Sequence, residues 1–492
     1  MLNEKIKVFI ASGEAVPFAK VGGLADVVGA LGNEINKNGV EVRIIIPKYT
    51  VVYDYIEKNN IKIDKTTAFS VQVEDKDIKV NVDQVTYDDV VYYFIDNPYY
   101  FKRDGIYTDS KTRTDYSDSL ERFVLFCKAV LECAKACDFK PDIIQCNDWQ
   151  TGLIPVYLKT LYKIDTFFKN TYSIYSIHNL SYQGIYPVEQ FTITGLDWKY
   201  FSVNELEYYG HLNLLKGGIV FSDMIVTVSE TYASEIQTSE FGNGLEGIMK
   251  LKFAQNKLVG IVNGADYKEW NPYTDNYLKN KYSINYDINN LENKKKIKEL
   301  FLKECGFENP GLDQPLLGMI SRLVDQKGLD LVFEIIDDLL RTGVYFTVLG
   351  MGKAEYEEKL KIIAEKYPNQ AAVFIDFNIP LSHYIESASD IFLMPSRFEP
   401  CGLNQLYSLK YGTIPVVRKT GGLADTVRNG KTGFVFSSYS PEEFLSTLKI
   451  AINTYKNEPD RWSEMIENAM KDDWSWERAA KKYCELYKSM LS

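Results

Sequence analysis

The chain has 492 residues, of which 45% are hydrophobic and 25% charged, and a formal net charge of −11. That length exceeds one ordinary core and implies two domains of a folded, globular kind. The acid excess excludes nucleic acid and anionic membrane as partners, since both demand basic surface.

From its first residues the chain is read as entering a strand, with no signal-peptide layout, and no apolar run is long enough to span a bilayer; the expected location is cytoplasmic. Strand-like runs follow at residues 6–11, 41–46, 142–146, 172–177, 224–228 and 258–262. Helical periodicity lies between several of them, as in residues 119–137, where Phe123, Phe126, Cys127 and Val130 share a face. The second half repeats the rhythm at 316–320, 345–349, 373–376, 391–394, 414–417 and 434–436. This alternation predicts an α/β fold of two doubly wound parallel sheets. The domains are read as 1–260 and 261–475, with residues 476–492 a closing helix that returns to the first domain. The polar stretch 273–296 reads as surface or helix rather than core. Seven cysteines without disulfide-like spacing read as thiols in a reducing compartment; Cys133 and Cys137 are one helical turn apart, with no histidine close by to complete a zinc set.

In doubly wound sheets ligands bind beyond the carboxyl ends of the strands. The residues at those ends are Gly13 and Glu14, then Asn147, Asp148 and Trp149, His178 and Asn179, Ser321 and Arg322, Asp376 and Phe377, and Pro395 and Ser396. A short internal repeat adds to this. KVGGLADVV (residues 20–28) returns as KTGGLADTV (residues 419–427), identical at seven of nine positions. Each copy runs into a helical pattern, so Gly22 with Gly23, and Gly421 with Gly422, are placed at strand-to-helix turns. There glycine permits positive φ and close ligand approach, and a helix N-terminus favours phosphate. The plain alternative is tight packing alone.

Arg322 and Lys327, in SRLVDQKGLDL, pair a rigid fork of donors with a point charge, which suits a diphosphate. Glu399 sits in a Pro- and Gly-bounded loop, where a carboxylate can accept hydrogen bonds from sugar hydroxyls or simply favour a helix first turn. Asp148 and His178 each end a strand-like run. The only Asp-x-Asp of interest, Asp75 to Asp77, lies in an alternating charged segment and reads as solvated surface.

KVGGLADVVGALG, CNDWQTGL, SIHNLSYQGIYP, VNGADYKEWNP, SRLVDQKGLDL and SRFEPCGLNQLYSLKYGTIPVVRKTGGLADTV together resemble the bacterial glycogen synthase and plant starch synthase family, in order and over nearly the whole chain. The resemblance implies a GT-B glycosyltransferase: two Rossmann-like domains facing a central cleft, no metal or other cofactor, ADP-glucose as donor and an α-1,4-glucan or maltooligosaccharide as acceptor, with retention at the anomeric carbon. It implies Asp148, His178, Arg322, Lys327 and Glu399 as catalytic. Lys20, Gly22, Gly23, Asn179, Phe377, Cys401, Gly402, Leu403, Thr420, Gly421 and Gly422 would bind substrate, Phe377 near the adenine. A plastid-like compartment applies if the source is a photosynthetic eukaryote. Tyr407 stands where retaining relatives outside the family often carry a second Glu, Asn404 where many bacterial members have Thr, and Asp376 where the family usually has Gly. Retention is compatible with double displacement through a carboxylate or with front-face attack. A sugar-nucleotide epimerase of the same architecture and an inactive glucan-binding homologue are the other readings. The sequence fixes no oligomeric state.

Overall fold

Long apolar runs bounded by Gly, Pro and Asn form strands covered on both faces, and helices pack against them. The structure, a computed structural model, describes residues 5–112 and 114–492, so the first residues of the expected opening segment lie outside it. Two units result. One comprises the chain up to Val228, Ala233–Ile261 and Trp476–Ser492; the other comprises Ser229–Tyr232 and Val262–Ser475. Ser229–Tyr232 thus departs from a contiguous division: Ser229 Oγ donates to Pro400 O at 2.7 Å, and Thr231 N to Asp425 Oδ2 at 2.9 Å. Among the described residues, no helix is long and apolar enough to cross a membrane.

The first unit carries β1 (Lys7–Ala11), β2 (Glu41–Pro47), β3 (Lys65–Val73), β4 (Lys76–Tyr87), β5 (Val90–Asp96), β6 (Ile143–Asn147) and β7 (Tyr172–Ile177). After a small antiparallel sheet of β8 (Ile185–Pro187), β9 (Glu207–Tyr208) and β10 (His211–Asn213), it closes with β11 (Met224–Thr227) and β12 (Leu258–Gly260). The main sheet has the order β12-β11-β7-β6-β1-β2-β5-β4-β3. It is not wholly parallel, as the sequence reading had it: β4 runs antiparallel to β5 and to β3. These strands escaped notice because β3 is an edge strand with most side chains exposed, so burial never imposed a clean apolar alternation. Asp75 lies in the exposed turn between β3 and β4, and Asp77 is exposed near the start of β4, in line with the surface reading.

The second unit holds β13 (Leu316–Ile320), β14 (Tyr345–Leu349), β15 (Ala371–Phe374), β16 (Ile391–Met394), β17 (Ile414–Arg418) and β18 (Phe434–Phe436). All neighbours are parallel, in the order β15-β14-β13-β16-β17-β18. The reading of residues 273–296 as outside the core needs correction. Leu278 and Tyr286 are fully buried there, and Lys294 is buried with Nζ donating to Ser387 O at 2.9 Å and Thr413 Oγ1 at 2.8 Å. Polar composition hid a core segment because its polar groups are hydrogen-bonded rather than hydrated.

The C-terminal helix Trp476–Leu491 packs on the helix Gly23–Lys37 of the first unit, burying Ala480, Tyr483 and Tyr487. Tyr487 Oη donates to Gln145 Oε1 at 2.5 Å, and Gln145 Nε2 donates in turn to Ser176 Oγ at 3.1 Å. Tyr487→Ala is expected to cost the first unit about 3–4 kcal/mol, the scale of truncating a buried aromatic. Tyr487→Phe should cost about 1 kcal/mol, because it leaves Gln145 Oε1 unpaired. Denaturant unfolding checks both; equal, sub-kcal losses would mean that the helix is not docked through this residue.

Candidate active site

In each sheet the strand order reverses once. β1 leads to β2 on one side while β6 leads to β7 on the other; β13 leads to β14 while β16 leads to β17. Loops leaving two adjacent parallel strands in opposite directions open a crevice at their carboxyl ends. Most of the expected site residues lie in the loops at or beside these two places; Phe377 does not, since it follows β15, the edge strand two positions from β13.

In the first unit, Glu14 follows β1 and is buried. Its Oε2 accepts the N–H groups of Val21 and, at 3.0 Å, Gly22, and its Oε1 accepts from Tyr107 Oη at 3.3 Å. Burial pushes this carboxyl above the usual range, while the two amides and the tyrosine pull against it. Asp148 follows β6 at φ +55°, ψ −174°, a strained conformation for a side chain with a Cβ, costing on the order of 1–3 kcal/mol. Its Oδ1 accepts from His178 N at 2.7 Å. Burial pushes its pKa up to about 7 against the amides of His178 and Asn179, with the Glu14 charge adding to the rise. The Asp148 turn is supported from below: Trp149 packs edge-on to Phe123, with ring centroids 4.8 Å apart, and Cys127 Sγ donates to Gln150 O.

His178 follows β7. Its Nε2 lies 3.0 Å from Asn147 Oδ1, and Asn147 Nδ2 donates to Ala11 O at 3.0 Å, so the amide orientation makes Nε2 the donor. Burial lowers the imidazole to about 4, which keeps it neutral at neutral pH. Asn179 Oδ1 accepts from Ser181 N at 3.0 Å. Lys20 is exposed and pairs with Asp26 at 2.8 Å, a surface contact that costs little to exchange.

In the second unit, Arg322 follows β13; its exposed guanidinium makes no hydrogen bond or ion pair with a described residue. Lys327 Nζ meets Glu399 Oε2 at 2.5 Å, and Ser396 Oγ donates to the same oxygen at 3.1 Å. Among the described residues both of these bonds go to Oε2, and none reaches Glu399 Oε1. Gly402 takes φ +74°, where a Cβ would strike Gln405 Oε1, and Gln405 Nε2 donates to Cys401 O and Gly402 O. Cys401 is buried, and Leu403 opens the helix Asn404–Tyr411. Asn404 Nδ2 donates to Ile320 O at 2.8 Å, tying that helix to the end of β13. Phe377 presents a ring 75% exposed, on a loop that Asp376 organises by accepting from Phe377 N and Asn378 Nδ2. Tyr407 stacks on Trp270, and Trp270 on His383, at centroid distances of 4.1 and 3.9 Å.

The two glycine turns are not equivalent, which corrects the expectation of positive φ at both. Gly22 and Gly23 have no positive φ, and a Cβ on either would meet open space. Gly421 does take φ +42°; a Cβ there would lie 2.0 Å from Glu399 O, and one on Gly422 2.3 Å from Cys401 O. Gly422 N donates to Glu399 O and Pro400 O, and Thr420 is fully buried. The second copy therefore braces the Glu399 loop, whereas the first lies open. Sequence reasoning placed Glu14, Asn147 and Ser396 at strand ends without giving them work. Their partners are distant in the chain or in another loop, and only the fold shows them.

Residues 7–251 match the starch synthase catalytic domain family, and residues 306–472 the family of glycosyl transferases group 1. The chain is 44% identical to the glycogen synthase of Pseudothermotoga lettingae and 43% to that of Thermotoga maritima, covering 99% of both chains in each comparison. Its structure is similar to the catalytic domain of starch synthase IV from Arabidopsis thaliana bound to ADP and acarbose, with a TM-score of 0.86, 32% identity and 99% of each chain covered. A sucrose-phosphate synthase from Thermosynechococcus elongatus shares the fold at TM-score 0.58 and 15% identity.

The buried pair Asp148 and His178 makes opposing demands on stability. An unfolded aspartate ionises near 3.9, so between pH 4 and 7 the folded state holds the extra proton and stability falls as pH rises. His178 is protonated in the unfolded chain below about 6.5 but in the fold only below about 4, so it makes stability fall as pH drops through that window. Asp148→Asn is expected to gain stability relative to the parent as pH rises from 4 to 8, by about 2–4 kcal/mol. Urea unfolding at both pH values checks this; a difference that does not change with pH would mean that Asp148 ionises normally in the fold.

Proposed function

The chain belongs to the family of bacterial glycogen synthases and plant starch synthases, and on that premise we propose that it transfers glucose from ADP-glucose to the non-reducing end of an α-1,4-glucan, retaining configuration at C1. The observation that carries this reading is the Lys327–Glu399 contact at the β13/β16 reversal, with the uncommitted Arg322 following β13. A nucleoside diphosphate needs fixed cations, a glucosyl group needs a carboxylate for its hydroxyls, and the two stand together there.

Departure of ADP leaves negative charge on the diphosphate and oxocarbenium character on the sugar. Preorganised cations stabilise that state more than the ground state. Arg322 and Lys327 take this role; in the first unit, Lys20 once it leaves Asp26 and the open Gly22 and Gly23 turn are the groups suited to phosphate oxygens. No metal is needed for the charge balance. Glu399, oriented by Lys327 and Ser396, accepts sugar hydroxyls through Oε1. The exposed Phe377 ring offers a face to adenine. Cys401, Gly402 and Leu403 shape the turn against which the sugar lies, and Thr420, Gly421 and Gly422 hold that turn. Neutral His178, its one ring N–H committed to Asn147, accepts from a sugar hydroxyl through Nδ1 without placing a positive charge beside the developing oxocarbenium, and Asn179 borders it.

Front-face attack fits this environment better than double displacement. Asp148 keeps its proton up to about 7, which makes it a poor nucleophile, and Glu399 is engaged by Lys327. In front-face attack the C1–phosphate bond breaks, the acceptor O4–C1 bond forms on the same face, and the O4 proton passes to the departing phosphate oxygen. An inactive homologue is disfavoured because Asp148, His178, Arg322, Lys327 and Glu399 are all present.

The purified protein should extend maltooligosaccharides with ADP-glucose at a rate unaffected by EDTA. Loss of activity to the chelator, restored by a divalent ion, would overturn the metal-free scheme. Arg322→Ala and Lys327→Ala should each lower kcat/KM by about a hundredfold or more with little effect on folding. Losses of about tenfold or less for both would reduce them to surface cations.

A further inference from the structure

Outside the half-sites, the chemistry that stands apart is a pair of sulfurs. Cys133 lies in the last turn of the helix Ser119–Ala136, and Cys137 is the residue that caps it. Their Sγ atoms are 3.9 Å apart. Cys133 is fully buried; Cys137 is partly exposed, near the open edge of the main sheet. Among the described residues no group of three or more His, Cys, Asp or Glu is arranged to hold a metal ion, so the pair lacks the further ligands of a zinc site.

The surroundings favour a thiolate on the outer sulfur. Cys137 is drawn down to about 6, first by its contact with Cys133, then by Thr67, the Lys65 charge and Tyr93, against the opposing effect of burial. Burial pushes Cys133 well above the usual thiol range. One proton therefore rests on the inner sulfur and points to the outer one. Burial also raises Cys127, Cys305 and Cys401, each to about 12, along with Cys146 and Cys484, which leaves Cys137 as the nucleophilic thiol of the chain.

Closing a bridge here is sterically feasible. Residues one helical turn apart have Cα separations within the range disulfides span, but their Cβ atoms, about 5–6 Å apart on a helix, must close to about 4 Å, so the bridge also requires the helix end to shift and the Cys137 N–H to Cys133 O bond to loosen. Cys137 already lies past the last helical residue, at φ −96° and ψ +6°, so adjusting its backbone breaks no interior helical turn.

We propose that Cys133 and Cys137 form a peroxide-reactive dithiol, a covalent modification site independent of the glucosyl chemistry. The Cys137 thiolate attacks the peroxide oxygen, cleaving the O–O bond to give a sulfenic acid and, once protonated, water. Cys133 then attacks the sulfenic sulfur, expelling a second water and leaving a disulfide; two thiols are oxidised as one hydrogen peroxide is reduced.

The test is peptide mapping of the full-length protein after graded hydrogen peroxide, with a thiol reductant chase. The expected result is a 133–137 disulfide that forms about tenfold faster than any modification of the partly exposed Cys305 and is reversed by the reductant. Cys133→Ser should stop at a sulfenic acid on Cys137 that dimedone traps, and Cys137→Ser should leave Cys133 a free thiol at the same dose. Because the primary result comes from the parent chain, misfolding of a variant does not decide the matter. Reduced thiols at 133 and 137 while Cys305 is modified, or Cys137 carried to sulfinic acid beside a free Cys133, would overturn the proposal.

Discussion

The organisation of the strand-end residues in either unit depends on one constraint, the single reversal of strand order among the parallel strands of each sheet. A right-handed crossover moves the chain across a sheet in one direction only, and a sheet with helices on both faces must at some point restart from its first strand. At that point two loops diverge, and nothing in the sheet's own packing fills the space between them. β1 with β6, and β13 with β16, are these pairs. Glu14 and Asp148 owe their nearness to the first, Lys327 and Glu399 to the second. Neither group could be assembled by local sequence, since each spans a large part of its unit.

The two units handle buried carboxylates differently. Glu399 is satisfied by a cation and a hydroxyl, so its charge is balanced at close range. Among the described residues the Asp148 carboxyl meets only backbone amides, which soften the desolvation cost without cancelling it, and the residue responds by keeping its proton into the neutral range. Its strained backbone is a second cost at the same position. A fold that bears both at one residue in its interior has reason beyond stability to place an aspartate there.

Much of this was legible in the sequence. Strands buried on both faces, such as β6 and β14, announce themselves as unbroken apolar runs, and the loops after them can be counted off directly. Asp148, His178, Arg322 and Lys327 follow from that counting. The β3–β4 hairpin did not, because an edge strand hydrated along most of its length carries no apolar alternation. Residues 273–296 misled for the opposite reason, as Lys294 is polar, buried and fully bonded. Glu14 could be placed at a strand end but not assigned to the Val21 and Gly22 amides, since the loop that returns them to it has no periodic signal.

The uneven glycine repeat carries a meaning for how the chain tolerates change over time. Gly421 and Gly422 are locked by carbonyl oxygens that leave no room for a methyl group, so the fold itself polices the second copy, whatever the protein binds. Gly22 and Gly23 answer to no such neighbour, and selection on folding alone would let them drift. Two nearly identical strings of letters thus stand under different constraints: the architecture forbids a side chain at Gly421 and Gly422 and leaves room for one at Gly22 and Gly23.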